Sequence, residues 1–288
     1  MRRISLLLAI GLALATVSGC KVGKDDHHGA SYVAMGDSYT AAPGAGTPAK
    51  SRGACGRSTN NYPHQLADDL DLALTDVSCS GAPSDAVLHP YDVLGKTTVP
   101  PQIDGVRSDT DLVTLGAGFN DFGLSTRVFI RCVLAGIHDP DGTPCTDADT
   151  AAGPQGIQAA LDDITLRLTT VVEAIMEKAP KARVVLVGYP SIFPEKESCA
   201  NLGIASGDLP LVRHVVESLN ASAKAAAAET GATYLDLVRR TQGHDICADD
   251  PWIAGVRAVA GRRALSWHPY EVEQDLVADL LAAVVKEK

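Results

Sequence analysis

A three-layer α/β/α fold, with a parallel sheet of about five strands covered by helices on both faces, is predicted by three features of this 288-residue sequence. Short apolar runs rich in β-branched residues alternate with longer segments whose apolar residues recur at helical spacing. The runs that end at Met35, Leu115 and Val187 each stop at a glycine, where a strand gives way to a turn. The composition, 45% hydrophobic and 21% charged, is that of a chain able to bury one large core.

The elements follow in order. Residues 32–35 form the first strand, which stops at Gly36-Asp37-Ser38 and so presents a serine hydroxyl at the C-terminal rim of the sheet. The Gly/Pro-rich stretch 41–61 has a length that marks function more often than simple connection. Residues 62–70 read as a helix with Leu66 and Leu70 on one face, and 72–78 as the second strand. The third strand, 111–115, runs into Gly116-Ala117-Gly118-Phe119-Asn120-Asp121. A helix over 157–178 ends before Pro180, and the short run 182–187 is a buried strand closed by Gly188-Tyr189-Pro190. A long helix over 209–230, with Ala225 to Ala228 raising its propensity, precedes a last strand over 233–237. The C-terminal helix, 270–285, carries Val272, Leu276, Leu280 and Val284 on one stripe for core packing. Residues 122–150 mix a short helix with an Asp/Pro/Gly-rich tail, Asp139-Pro140-Asp141-Gly142, and 194–207 has no period; both read as excursions from the rim of the sheet, pinned by disulfide cysteines.

The N-terminus is a targeting segment. Arg2 and Arg3 precede an apolar stretch, 4–17, and then Ser18-Gly19-Cys20, the order of a secretory signal. Val17-Ser18-Gly19-Cys20 resembles the lipobox of bacterial lipoproteins. That resemblance implies that residues 1–19 are removed, that Cys20 is acylated, and that the chain is held to a membrane on its extracytoplasmic face. A plain secretory signal is the alternative. Residues 20–30 are polar and read as a tether, with His27 and His28 simply solvated. Residues 31–288 then form a single domain, expected to be monomeric. A net charge of −10, made more negative by loss of the two arginines, disfavours a nucleic-acid partner.

Seven cysteines become an even set once Cys20 is set aside: Cys55, Cys79, Cys132, Cys145, Cys199 and Cys247. An exported chain with such a set is expected to carry three disulfides. Many connectivities are open, and sequential pairing (Cys55–Cys79, Cys132–Cys145, Cys199–Cys247) is preferred because it closes the shortest loops. No two of these cysteines have the close spacing of a zinc knuckle, and neither metal nor cofactor is expected.

The chemistry sits beyond the apolar runs. A serine hydroxyl is a weak nucleophile at neutral pH and needs a base, usually histidine. The oxyanion formed by its attack needs preorganised N–H donors. Ser38, Gly81, Asn120 and His268 offer one group for each task. Taken together, Gly36-Asp37-Ser38, Gly81 after Cys79-Ser80, Gly118-Phe119-Asn120-Asp121 and Ser266-Trp267-His268-Pro269 resemble the SGNH hydrolases, also called GDSL-type esterases and lipases. The resemblance spans residues 31–288 and implies a flavodoxin-like sheet. Cys55-Gly56-Arg57-Ser58, Tyr62-Pro63 and the six cysteines are similar to the secreted bacterial branch with three sequential disulfides.

Carried over, the resemblance implies Ser38 as nucleophile and His268 as general base. The oxyanion hole would comprise the Ser38 and Gly81 backbone N–H groups and the Asn120 side-chain amide. Asp37 and Asp121 read as structural, capping helices or holding loops. The family commonly places an aspartate three residues before the histidine, and this chain has Leu265 there. In the branch that the chain most resembles, a backbone carbonyl near that position accepts the Nδ1–H bond. Spacing selects the carbonyl of Ser266 here, giving a dyad, with Asp245 and Asp249 as alternatives from the Cys247 loop. The expected activity is cleavage of small-molecule ester or lipid substrates. A carbohydrate O-acetyl esterase and a catalytically inactive surface-binding lipoprotein are the rival readings. Phe119, Phe122, Trp252 and Trp267 are candidates for the cleft wall or for the core.

Overall fold

The computed structural model describes residues 29–47 and 53–287. The expected signal segment, Cys20 and most of the expected tether, including His27 and His28, lie outside the described residues. Five parallel strands form the central sheet: β1 (Ser31–Gly36), β2 (Ala73–Asp76), β5 (Leu112–Gly116), β6 (Arg183–Val187) and β7 (Thr233–Leu235). A small antiparallel hairpin, β3 (Tyr91–Val93) and β4 (Thr97–Val99), lies outside it. The sheet order is β2-β1-β5-β6-β7, so chain direction across the sheet reverses between β1 and β5. Ligands of doubly wound folds bind beyond the C-terminal ends of strands at such a switch point.

Strand alternation divides the core into two layers. Val33, Met35, Val113, Leu115, Val184 and Leu186 face one side, where they pack with Leu168, Val172, Val215 and Leu219 of the helices Ile164–Lys178 and Leu209–Thr230. Tyr32, Ala34, Leu112, Val185 and Val187 face the other side, against Tyr62, Leu66, Val277 and Leu281 of the helices Tyr62–Leu70 and Glu271–Lys286. Burial on both faces accounts for the nearly continuous apolar character of these strands.

Four local readings change. The stripe expected to pack in the core, Val272, Leu276, Leu280 and Val284, is only half-buried, and the adjoining Gln274, Val277, Ala278 and Leu281 take the core face. The helix expected over 157–178 is two, Ile157–Asp162 and Ile164–Lys178, broken at Asp163. The stretch 122–150 is mostly short helical turns, among them a π-helical turn at Arg127–Cys132 and a helix at Pro144–Ala152. The β3–β4 hairpin was not expected, because three-residue strands carry too few apolar positions to show a period.

Cys55 pairs with Cys79, Cys132 with Cys145, and Cys199 with Cys247, the sequential set. Each pins an excursion that has little core of its own. The 194–207 stretch stays irregular apart from a short 3-10 turn at its end, and Cys199–Cys247 ties it to the segment leading to His268.

Two predictions follow from this packing. The Cys199–Cys247 bridge spans 48 residues. Replacing both cysteines by serine should therefore cost about 4 kcal/mol and lower the thermal midpoint by about 10 °C; an unchanged midpoint would show that the loops hold themselves. Glu273 is buried at the start of the last helix and accepts a hydrogen bond from the Gln274 side-chain amide at 2.7 Å. Burial pushes its carboxyl up from an ordinary 4.5 to about 8. Its contribution to stability is therefore complete below the ordinary value and is lost as pH climbs through about 8. Glu273→Gln should remove that fall, so its thermal midpoint should gain on the parent's as pH rises across the window. Parallel curves would contradict the assignment.

Candidate active site

The loops after β1, β2 and β5 converge at the C-terminal edge of the sheet. Gly36 ends β1 at φ +144°, and a Cβ there would lie 2.3 Å from the Gly116 carbonyl oxygen, so only glycine lets β1 and β5 approach this closely. Asp37 follows as the N-cap of the short helix Ser38–Ala41, its carboxylate accepting the Tyr39 N–H at 2.8 Å. Ser38 thus starts a helical turn beyond the strand, nearly buried, at the floor of a cleft.

After β2, Cys79 N–H donates to the Gly36 carbonyl at 2.9 Å, which brings Ser80 and Gly81 alongside the serine. Gly81 has φ +81°, and a Cβ on it would meet the Tyr91 hydroxyl at 2.9 Å. Asn120 follows β5. Its Oδ1 accepts from the Ser125 hydroxyl at 2.7 Å and one Nδ2 proton goes to the Ala82 carbonyl at 3.2 Å. These contacts fix the amide's orientation and leave a second N–H for the cleft. Among the described residues the backbone N–H groups of Ser38 and Gly81 donate to no protein acceptor, so both are available to an anion in the cleft.

His268 arrives differently from the other three. It does not follow a strand, although the sequence pattern places it beyond one, but lies on the irregular segment after 241, held by a β-bridge between Ile253 and Pro269 and by backbone bonds such as Leu265 N–H to the Pro43 carbonyl at 3.0 Å and Trp267 N–H to the Gly255 carbonyl at 3.2 Å. Leu265 to His268 form a turn closed by His268 N–H to the Leu265 carbonyl at 3.2 Å, with Trp267 in the left-handed region at φ +60°. This places the His268 Nδ1 2.8 Å from the Ser266 carbonyl oxygen. A carbonyl can only accept, so the neutral ring carries its proton on Nδ1 and its lone pair on Nε2. Burial holds the imidazole below the ordinary histidine range, opposed in part by the Ser266 bond. The ring is therefore neutral, and able to take a proton, at physiological pH.

Asp245 is engaged elsewhere, accepting the Cys247 N–H at 2.8 Å, and the Nδ1 bond goes to main chain. Leu265 is exposed at the lip of the cleft and not in the core. Ser38, Gly81, Asn120, Ser266 and His268 all line one cleft of about 640 Å³. Of the four aromatic candidates, Phe119 and Trp267 line it; Phe122 instead lies under the Arg167 guanidinium at 4.3 Å, and Trp252 stacks on His244 at 3.8 Å. A hollow of similar size, about 660 Å³, lies at the opposite edge of the sheet. Several of its polar groups are already paired, Arg107 with Asp109, Asp111 with Ser31, and Asp76 with Ser78 and Asn61. Among the described residues no cluster of three or more His, Cys, Asp or Glu side chains is arranged to hold a metal ion.

Two tyrosines that the sequence reading did not single out hold these loops together. The buried Tyr189 hydroxyl, after β6, donates to the Asp37 carboxylate at 2.6 Å and accepts the Phe119 N–H at 3.0 Å, joining the serine turn to the asparagine loop. Burial, set against the hydrogen bonds from Tyr189 and Tyr39, pushes the Asp37 carboxyl up to about 7. The Tyr39 hydroxyl donates to the Trp267 carbonyl at 2.9 Å, joining the serine turn to the histidine turn. Asp121 accepts the backbone N–H of Ser84 at 2.6 Å and its hydroxyl at 2.5 Å, holding the glycine and asparagine loops side by side.

Residues 34–270 match the family model described as GDSL-like Lipase/Acylhydrolase family. Lipase 2 of Streptomyces coelicolor is 38% identical over 220 residues, covering 75% of this chain and 72% of the relative. A lipase of Streptomyces rimosus is 33% identical over 270 residues, covering 92% and 90%. Among solved structures, a phospholipase A1 from Streptomyces albidoflavus NA297 superposes with a TM-score of 0.71 at 29% identity, covering 88% of this chain and 99% of that one. The extracellular lipase of Streptomyces rimosus gives 0.70 at 28% identity with the same coverage.

A direct check of the site's electrostatics is an NMR titration of His268. The ring should titrate below 6.5, the ordinary histidine value, and its neutral form should carry the proton on Nδ1. A higher midpoint, or an Nε2–H tautomer, would contradict the geometry.

Proposed function

The chain belongs to the GDSL-like lipase/acylhydrolase family, and on that premise we propose that it cleaves carboxylic acyl esters by a Ser38–His268 dyad through an acyl-enzyme. The observation that carries this reading is the 2.8 Å contact of His268 Nδ1 with the Ser266 carbonyl, which leaves Nε2 as a base in the cleft that Ser38 shares.

In this scheme the Ser38 Oγ attacks the ester carbonyl carbon while His268 Nε2 takes its proton. The negative charge that develops on the carbonyl oxygen meets three donors, the N–H groups of Ser38 and Gly81 and the free Asn120 Nδ2–H. Collapse of the tetrahedral species breaks the bond to the alcohol oxygen, which leaves with the proton from His268. Water then attacks the acyl-enzyme, His268 takes its proton, and Ser38 departs with that proton as the acid is released. A neutral carbonyl behind His268 stabilises the imidazolium less than a carboxylate would, but fixes the same tautomer and orientation.

Cleft composition supports acyl lipids as the substrate class. Val93, Leu94, Phe129, Ile130, Leu265 and Trp267 offer an apolar wall, and apolar surface outweighs polar surface in the cleft. We assign residues 31–288 as the hydrolase domain, a monomer needing no cofactor, behind a signal over 1–19 and a tether over 20–30 acylated at Cys20. The three disulfides support an exported setting. Among the described residues no helix is long and apolar enough to cross a membrane.

Turnover of p-nitrophenyl esters of graded chain length tests the reading. Ser38→Ala and His268→Ala should abolish it, and Asn120→Ala should lower kcat by about 10² or more. Leu265→Asp should retain activity, since the side chain is exposed. Hexanoyl and longer esters should be preferred. Turnover by Ser38→Ala equal to the parent's would end the assignment, and a preference for acetyl would move it to a sugar acetyl esterase.

A further inference from the structure

The mouth of the cleft carries apolar surface that the fold does not use. Leu94 is 84% exposed at the tip of the β3–β4 hairpin. There Lys96 N–H closes a turn on the Val93 carbonyl at 3.0 Å, and both Leu94 (φ +52°) and Gly95 (φ +63°) are left-handed. That backbone suits glycine or asparagine, and a leucine in it is strained while its side chain buries nothing in return. Across the mouth, Ile130 lines the cleft, and Leu134 (57% exposed) and Ile137 (67%) continue outward from it at steps of four and three residues, one helical face. Leu265, at the lip, is also exposed.

Cations accompany both sides. Lys96 follows the hairpin tip and Arg131 follows Ile130; both are exposed, and among the described residues neither forms an ion pair. They stand out on a chain of net charge −10.

We propose that this rim docks on a phospholipid surface, the apolar side chains entering the acyl layer and Lys96 and Arg131 meeting headgroup phosphates. The inference rests on the ester-hydrolase reading above and adds where the substrate comes from. Position decides the occupant. A protein, or a second copy of the chain, seated on this rim would cap the opening that substrate must pass, whereas a lipid surface is itself a reservoir of acyl esters. Binding by such a patch scales with inserted apolar area plus attraction to the headgroups.

The test uses the mature, disulfide-intact chain, residues 20–288 carrying Cys20→Ser, so that neither the apolar stretch 4–17 nor acylation masks the rim. Two variants are compared with it, Leu134→Ser/Ile137→Ser and Lys96→Glu/Arg131→Glu, all at positions outside the cleft lining. Turnover of dissolved p-nitrophenyl butyrate should be unchanged in both. Turnover of vesicles of phosphatidylcholine with phosphatidylglycerol should fall at least about fivefold, as should co-sedimentation with the same vesicles in a Ser38→Ala background. Equal losses on the dissolved and vesicle esters, or undiminished sedimentation, would overturn the proposal. Rim-dependent self-association without any effect on vesicles would also overturn it. If the parent turned over neither ester, rim-dependent sedimentation would still support docking, and the hydrolase reading would be the part that failed.

Discussion

One hydrogen bond sets the terms for the rest of the site: His268 Nδ1 to the carbonyl of a residue two positions earlier in the same turn. A side chain reaches so near a main-chain neighbour only if the chain folds back, and Trp267 does so by taking a left-handed backbone that a bulky residue adopts at a cost. That cost is met by tertiary contacts. The indole stacks on Phe129 at 5.5 Å and its Nε1–H reaches the Leu202 carbonyl, while its own carbonyl receives the Tyr39 hydroxyl. Leu202 lies in the loop that Cys199–Cys247 holds. The bridge, the indole and the tyrosine thus act in series on the orientation of one imidazole.

The second dependence is polar and buried. Tyr189 joins Asp37 to the Phe119 N–H, so the turns after β1 and β5 share one hydroxyl that belongs to neither. Gln102 plays a similar part at the end of β1, its amide donating to the Gly36 carbonyl at 3.0 Å and accepting the Gly36 N–H at 2.7 Å. Buried networks of this kind are costly if half made and rigid if complete. Here they hold the turns after β1 and β5, with Ser38 and Asn120, in a fixed relation, the preorganisation that the proposed oxyanion hole requires.

Much of this was legible in the sequence, and the reason differs by residue. The strands that end at Gly36, Gly116 and Val187 are nearly continuous apolar runs because both faces of the sheet are covered, and Ser38, Gly81 and Asn120 could be found because they follow such runs or the strand between them. His268 follows none; only the Ser-Trp-His-Pro resemblance marked it. The partner of its Nδ1 could be named because it is local. Tyr189 and Asp37 are separated by 152 residues, and nothing in their neighbourhoods announces the pairing. Tyr39 was similarly hidden, although it adjoins Ser38. The hairpin that forms one wall of the cleft was missed for lack of length, and its Leu94-Gly95 tip was the available signal. Phe122 and Trp252 show the converse limit: an aromatic near a motif can be spent on a cation or another ring.

The account turns on Ser38 being a nucleophile activated by a histidine that the main chain orients. The most direct measurement is mass-spectrometric mapping of the covalent adduct formed by a fluorophosphonate on folded, disulfide-intact protein. The account predicts a single adduct on Ser38, formed far more slowly when His268 is replaced by alanine. An adduct on another serine, or labelling of Ser38 at an undiminished rate without His268, would contradict it.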